Sequence, residues 1–349
     1  MNNQVNVMVL GQSGVGKSSL INYLADKEVC EVGTGSPVTQ RGKFQKVTFP
    51  SPNNSDVSIN VYDSWGLESN KTDDWKKVID EKLLSTLSFD KMISGIVYCM
   101  SYQSDRIQDF ELDYLKDLLS YGYEVIVVLT QADNSGYETK KTVYRERLEK
   151  GLPEEQRKYV VVDVCAEAHA KPWQAPIEPF GRDKLLDELQ NSTFYNFNKV
   201  FHSQLKKWRS SAQEKIQKFE TECIESAKRT NFEDKMEISG LKDLVSNRAK
   251  ALAKSFTDEV KAVVTDASEY YELIEDAFAK PKNNAPAPDT ILSKIGQIFD
   301  KIANLFGGGV TLKNIEEFNR HLEETSNRLD DLISTMFEEI DDNLHERLG

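Results

Sequence analysis

The stretch of sequence that decides the fold is Gly11-Gln-Ser-Gly-Val-Gly-Lys-Ser18. It follows an apolar, strand-like run at residues 5–10 and precedes a helical pattern that starts at Ser19. A glycine-rich turn between a strand and a helix lets backbone N–H groups point at a phosphate. The spacing therefore predicts a P-loop, in which Lys17 reaches the terminal phosphates and the Ser18 hydroxyl binds Mg²⁺. The residues expected to contact the nucleotide here are Gly11, Gly14, Val15, Gly16, Lys17, Ser18 and Ser19.

Composition limits the classes of protein that this chain can represent. Its 349 residues, 39% of them hydrophobic, suffice for an α/β core and a second module. A net charge of -13 argues against a general nucleic-acid binder, because phosphate backbones attract basic surfaces. The four cysteines have no Cys-x-x-Cys spacing, which is typical of a reducing cytosol. Since no window approaches the roughly 20 apolar residues of a membrane span, we expect a cytoplasmic protein.

The first half of the chain alternates short β-branched runs with helical patterns, which predicts a mainly parallel sheet flanked by helices. This α/β domain is expected to cover residues 1–191. The predicted strands are residues 5–10, 44–49, 57–62, 93–100, 125–130 and 159–164. The predicted helices lie near residues 18–26, 73–88, 109–120, 138–149 and 182–190.

Residues 192–349 are predicted to form an all-α helical domain. From Phe194 onward the apolar residues recur at spacings of three and four, as on one face of a helix. A proline-containing linker is expected at residues 280–289, followed by an apolar stripe over 291–306. Helices packed on one another are the simplest interpretation, and contact of the 291–306 segment with a membrane is the alternative.

Two further motifs suit the phosphate end of a nucleotide. Asp63-Ser-Trp-Gly66 closes a predicted strand, so that Asp63 can hold Mg²⁺ and the Gly66 amide can meet the γ-phosphate. Between this motif and the P-loop lies a polar, glycine-containing loop. Thr39 in that loop is the candidate for a second Mg²⁺ ligand, and Thr34 is its rival.

The purine is predicted to be guanine. Thr130-Gln-Ala-Asp133 follows a predicted strand, and the Asp133 carboxylate can accept both N–H groups of guanine, which adenine cannot match. Cys165 and Ala166 end the last predicted strand, where the Ala166 amide would meet the guanine carbonyl oxygen. The expected base-binding residues are therefore Thr130, Gln131, Asp133, Cys165 and Ala166.

These five motifs, in this order, resemble those of the Ras-like translation-factor class of P-loop GTPases. The loop Gly35-Ser-Pro-Val-Thr-Gln40 and the run Asp63-Ser-Trp-Gly-Leu67 look most like its Era/TrmE-like branch, which is also similar to immunity-related and dynamin-like GTPases. The resemblance implies a switch domain that binds GTP and Mg²⁺. It also implies slow hydrolysis until a partner or a dimer completes the site.

The chain departs from the family pattern at several positions. Gln131 stands where a lysine is usual, and Thr130 replaces the commoner asparagine, although its hydroxyl can still tie this loop to the P-loop. Gly14 occupies the position of the asparagine in potassium-activated relatives, so potassium activation is unsupported. Leu67 replaces a water-orienting glutamine, and an apolar side chain cannot polarise water. Arg41 is a candidate stabilising arginine, although a solvated loop residue is the alternative.

The catalytic residues expected from these motifs are Lys17, Thr39 and Gly66, with Ser18, Thr39 and Asp63 as Mg²⁺ ligands. The function expected is a GTP-hydrolysing switch whose helical arm binds a protein effector or a second copy of the chain. The alternatives are a dynamin-like, membrane-associated GTPase and a nucleotide-binding scaffold with negligible hydrolysis. An ATPase is disfavoured by Asp133.

Overall fold

The computed structural model describes residues 3–30, 44–64, 66, 72–84, 88–104, 106–132, 137–154, 157–167, 177–278, 297–298 and 314–348. The chain divides into two units: the first holds residues 1–200 and 269–282, and the second holds 201–268 and 283–349. The predicted linker at 280–289 and nearly all of the 291–306 stripe lie outside the described residues. The domain boundary predicted between residues 191 and 192 stays a prediction.

The first unit is built on a six-stranded sheet in the order β2-β3-β1-β4-β5-β6. Strand β2 pairs antiparallel with β3, and every other neighbouring pair is parallel. This architecture confirms the predicted α/β fold with a mainly parallel sheet. The strands are β1 (Gln4–Gly11), β2 (Phe44–Pro50), β3 (Ser58–Ser64), β4 (Gly95–Ser101), β5 (Val125–Thr130) and β6 (Tyr159–Asp163).

Helices connect the strands, as the alternating pattern predicted. Strands β4 and β5 are buried along their whole length, because helices cover both faces of a parallel sheet. The described helices of this part of the chain are α1 (Lys17–Ala25), α2 (Thr72–Leu84), α3 (Asp109–Ser120) and α4 (Tyr137–Gly151), with a short 3₁₀ turn at Phe89–Lys91.

Two long helices, α5 (Arg182–Lys228) and α6 (Lys235–Phe278), each contribute residues to both units. The sequence predicted a helix over 182–190 and a separate helical pattern from Phe194. The structure joins them into one helix, since neither proline nor glycine interrupts residues 182–228.

The last residues of α6 belong to the first unit. There, the Tyr270 ring lies 6.1 Å from the Phe89 ring and 5.8 Å from the Phe197 ring, measured between centroids. The Tyr270 hydroxyl donates to Ser94 Oγ at 3.1 Å. Aromatic packing and a buried hydrogen bond thus fix the end of α6 beside the start of β4.

The second unit is helical, which confirms the all-α character predicted for the C-terminal region. It comprises residues 201–228 of α5, residues 235–268 of α6, and α7 (Ile315–Leu348). Lys215 pairs with Glu259 at 2.6 Å, and His202 lies 2.9 Å from Asp341. One apolar stripe of α7 is buried at Phe318, Leu322, Leu329, Leu332, Met336 and Ile340. No helix in the described part of the chain is both long and apolar enough to cross a bilayer.

All four cysteines are buried, and none forms a disulfide. Burial raises the pKa of Cys30 and Cys223 to about 11 and that of Cys99 to about 12. Because the thiolate is the reactive form, burial makes the thiols of Cys30, Cys99 and Cys223 poorly reactive in the folded protein.

A buried asparagine on α5 supports the sheet. Asn196 is 0% exposed, and its Oδ1 accepts the Glu124 N–H at 2.8 Å. Its Nδ2 donates to the carbonyl oxygens of Ser94 and Glu124 at 2.8 and 3.1 Å. One side chain therefore satisfies backbone groups that precede both β4 and β5.

We predict that Asn196→Ala lowers the free energy of unfolding by about 2–4 kcal/mol, because it leaves buried backbone groups without partners. A urea titration followed by circular dichroism measures this change. Asn191→Ala, at an exposed position of the same helix, is the matched control and should change stability by less than about 0.5 kcal/mol. Equal losses in the two variants would contradict the supporting role of Asn196.

Candidate nucleotide-binding site

The turn after β1 has a backbone that only glycine adopts without strain. Gly11, Gly14 and Gly16 have φ angles of 138°, 78° and 89°. A Cβ atom on Gly11 would lie 2.4 Å from the carbonyl oxygen of Cys99 in the neighbouring strand β4. The motif predicted as a P-loop is therefore built as a tight turn pressed against the carboxyl end of the sheet.

Lys17 stands at the first residue of α1 and is only 8% exposed. Its Nζ donates to the carbonyl oxygens of Gly11 at 3.2 Å and Gln12 at 2.8 Å. Burial lowers the pKa of Lys17, and the negative charge of Asp63 opposes that shift. The P-loop carbonyls thus hold an ammonium group beside a helix N-terminus, where both the charge and the helix dipole favour a phosphate.

Asp63 and Ser18 provide oxygen atoms of the type that Mg²⁺ binds. Asp63 pairs in register with Val9 of β1 and is 2% exposed, which places a buried carboxylate near the P-loop lysine. Ser18 follows Lys17 in the first turn of α1. Carboxylate and hydroxyl oxygens beside a phosphate site suit Mg²⁺, which prefers oxygen ligands.

Gly66 lies against the P-loop, two residues after Ser64, the last residue of β3. A Cβ atom on Gly66 would come within 2.4 Å of the Ser13 backbone nitrogen. The close approach explains why glycine suits this position. It also shows that the Gly66 backbone lies beside the P-loop residue Ser13.

The carboxyl end of β5 is tied to the P-loop by Thr130. Its Oγ1 lies 2.6 Å from the Val15 carbonyl oxygen and 3.1 Å from that of Met100. The tie expected from the sequence is therefore present. The next residue, Gln131, has a φ of 56°, and its side-chain oxygen accepts a hydrogen bond from the Ser101 hydroxyl.

The carboxyl end of β6 lies beside that of β5. The Ala132 N–H donates to the Val164 carbonyl oxygen at 3.2 Å. The Cys165 backbone pairs with Phe180 through N–H to oxygen bonds of 3.1 and 3.0 Å. Ala166 follows this pairing and is half-buried, so the two loops predicted to enclose the base meet at one edge of the sheet.

The structure thus gathers most of the predicted site residues, and the roles assigned to them stay predictions. Thr39 and Asp133 lie outside the described residues, as do Thr34, Arg41 and Leu67. Sequence reasoning missed Ser101, the last residue of β4. Its position at the carboxyl end of a predicted central strand was the available signal, since ligands bind at that edge of open α/β sheets.

Sheet order, P-loop geometry and the motifs at the strand ends define a P-loop GTPase domain followed by a helical region. A model of the RsgA GTPase family matches residues 1–69, which include the P-loop and Gly66. This match and the two curated relatives described next agree with the P-loop GTPase class that the motifs predicted.

The chain is similar to the probable GTP-binding protein EngB of Clostridium botulinum. It is 27% identical to the protein of strain Eklund 17B over 147 residues, which are 41% of this chain and 70% of the relative. It is 26% identical to that of strain Alaska E43 over 153 residues. Among solved structures, Toc33 from Arabidopsis thaliana with Mg²⁺ and GMPPNP covers 56% of this chain and 85% of its own, at 19% identity and a TM-score of 0.42.

The P-loop needs glycine for two reasons, a positive φ angle and close contact with neighbouring atoms, and two substitutions distinguish them. Gly14→Ala adds only the backbone strain of a positive φ, because nothing lies within 4 Å of its Cβ, and we expect a loss of about 1–2 kcal/mol in unfolding free energy. Gly11→Ala adds the collision with the Cys99 carbonyl, and we expect a loss of about 3 kcal/mol or more. Thermal and urea unfolding measure both, and a Gly11→Ala variant as stable as Gly14→Ala would contradict the close approach.

Proposed function

We propose that the protein binds GTP together with Mg²⁺ and hydrolyses it to GDP and phosphate, and that the bound nucleotide switches the helical arm. In this proposal residues 1–191 form the GTP-binding domain and residues 192–349 form the arm. The observation that carries the proposal is the buried Lys17 ammonium, which two P-loop carbonyls hold beside Asp63. A buried cation at a helix N-terminus is suited to a polyphosphate.

The nucleotide would lie across the carboxyl edge of the sheet. P-loop amides and Lys17 would hold the phosphates, and Ser18, Thr39 and Asp63 would hold Mg²⁺, which neutralises phosphate charge when bound. Asp133 would accept the two N–H groups of guanine. Thr130 supports this arrangement, because its hydroxyl joins the loop that leads to Asp133 to the P-loop carbonyl of Val15.

Hydrolysis would depend on a few groups of this chain. Lys17 would stabilise the charge that develops on the terminal phosphate, and the Gly66 amide would donate to it. Thr39 and the backbone of its loop would hold the attacking water, because Leu67 cannot polarise it. This incomplete set favours a slow reaction that a second copy or a protein effector accelerates. The proposed location is the cytoplasm, with attachment to a membrane surface as the alternative.

A hydrogen-bonded hairpin supports the switching step. Strands β2 and β3 form one hairpin. Asp63 lies near its open end, and the turn at its other end is hydrogen-bonded to the last residues of α6. At that tip, the buried Ser51 hydroxyl donates to the Ala277 carbonyl oxygen, and Asn53 Nδ2 donates to that of Phe278 at 2.7 Å. Carbonyl groups at a helix C-terminus lack partners within the helix, so these bonds are a specific cap.

The hairpin can transmit a conformational change from the nucleotide to the helical arm. Its two strands connect the loop that carries Thr39 with the segment that carries Gly66. A change in either segment on loss of the terminal phosphate would shift the hairpin lengthwise or loosen its tip. Because α6 continues from the cap at residues 277–278 into the helical region, a loosened cap would change the stability of that helix.

Nucleotide binding is tested by Lys17→Ala, with Lys27→Ala as the matched control at an exposed position after α1. Removal of the P-loop ammonium should weaken GTP binding by at least about 100-fold, whereas the control should bind as the wild type does. Equilibrium titration with a fluorescent GDP in the presence of Mg²⁺ measures this.

Guanine selection is tested by displacement of the same probe from the wild-type protein. GTP should displace it, and ATP should fail to do so. Displacement by ATP and GTP alike would refute guanine selection.

The switching step is tested by hydrogen exchange at the amides of residues 271–278. In the wild type, exchange should differ by about fivefold or more between GDP and a non-hydrolysable GTP analogue, as expected for one hydrogen bond gained or lost. The double variant Ser51→Ala, Asn53→Ala should abolish this difference, and Ser55→Ala, at an exposed position of the same turn, should keep it. Identical wild-type exchange in the two nucleotide states would disprove the route.

A further inference from the structure

The hydroxyl of Ser101 donates one hydrogen bond and accepts another. Ser101 is the last residue of β4 and is 4% exposed. Its Oγ donates to the side-chain oxygen of Gln131 and accepts the N–H of Gln103 at 3.0 Å. In this arrangement the single proton of the serine hydroxyl is donated to Gln131, and one of its lone pairs accepts the Gln103 N–H.

The backbone of Gln131 has an unusual conformation, and both flanking residues are hydrogen-bonded to other parts of the fold. It has a left-handed φ of 56°, which strains any residue with a Cβ atom. The residue before it is bonded to the P-loop through Thr130 Oγ1, and the residue after it is bonded to Val164 through the Ala132 N–H. Such strain persists only where the surroundings impose it, and it is concentrated at functional sites.

The bond from Ser101 also fixes which end of the amide faces away from the sheet. Because the Ser101 proton selects the oxygen of Gln131, the Nε2 end, a donor of two protons, faces away from Ser101. Gln131 adjoins Thr130, whose hydroxyl touches the P-loop at Val15. The residue that carries this amide therefore directly follows one that is bonded to the phosphate-binding turn.

We propose that Ser101 is a positioning residue that aims the Gln131 amide at an acceptor on the nucleoside half of the bound guanine nucleotide. This inference rests on the proposed function. Gln131 supplies a neutral hydrogen-bond donor to the nucleoside, and Ser101 sets its orientation. The pair acts on the affinity for the nucleoside half of the nucleotide, and the phosphates are left to Lys17 and Gly66 in the proposed function.

The experiment compares Ser101→Ala, Ser101→Thr, Gln131→Ala and the double variant Ser101→Ala, Gln131→Ala. The probes are GDP, which has a nucleoside, and tripolyphosphate, which does not, each with Mg²⁺. Ser101→Ala should weaken GDP binding about fivefold to tenfold, the effect of one hydrogen bond, and leave tripolyphosphate binding unchanged. Ser101→Thr keeps the hydroxyl and should restore GDP binding.

The double variant measures the coupling between the two residues. Once Gln131 is an alanine, removal of the Ser101 hydroxyl should cost no further GDP affinity. Ser104→Ala is the matched control, because the contacts of Ser104 are made by its backbone carbonyl and N–H groups, and it should bind GDP as the wild type does.

Three results would overturn the inference while leaving the proposed function intact. These are equal losses of GDP and tripolyphosphate binding in Ser101→Ala, full additivity in the double variant, and a lower unfolding midpoint with unchanged GDP affinity. Failure of the wild-type protein to bind GDP or GTP would instead refute the proposed function, and the inference with it.

Discussion

The ammonium group of Lys17 is almost completely removed from water, and the groups around it are arranged to offset the energy of that burial. An unpaired buried charge costs several kcal/mol, roughly, even after relaxation of its surroundings. Two P-loop carbonyls and the nearby Asp63 compensate for this loss. The turn that carries these carbonyls contains three glycines with positive φ angles, a conformation that glycine adopts without strain. The position of Asp63 in the sheet, the glycine turn of the P-loop and the buried charge of Lys17 therefore depend on one another.

Much of the fold could be predicted from the sequence, because its signals are local. Runs of β-branched residues gave the strands, and the P-loop motif located the carboxyl edge of the sheet where the other motifs meet. The C-terminal periodicity gave helices with buried faces. It could not show that the end of α6, with Tyr270, packs in the first unit, because periodicity identifies an apolar face and not the surface that the face contacts.

The candidate site was predicted where a motif couples residue type to spacing, as at Lys17, Ser18 and Thr130. Contacts between residues that belong to no shared motif pattern were not predictable. Ser101 and Gln131 are 30 residues apart, and only the pairing of β4 with β5 brings them together. The hairpin cap joins Ser51 to Ala277 across 226 residues. No single-sequence pattern carries such pairings, since each partner is an ordinary polar residue in its own surroundings.

The four buried cysteines give the protein an experimental advantage. All four thiols are buried, and burial raises the pKa values of Cys30, Cys99 and Cys223, so maleimide or iodoacetamide reagents near neutral pH should label the folded chain slowly. A cysteine introduced at an exposed position, such as that of Met236, which is 84% exposed, would react much faster than the buried native thiols. Fluorophores could then be attached selectively to the natural sequence, without first replacing any native thiol.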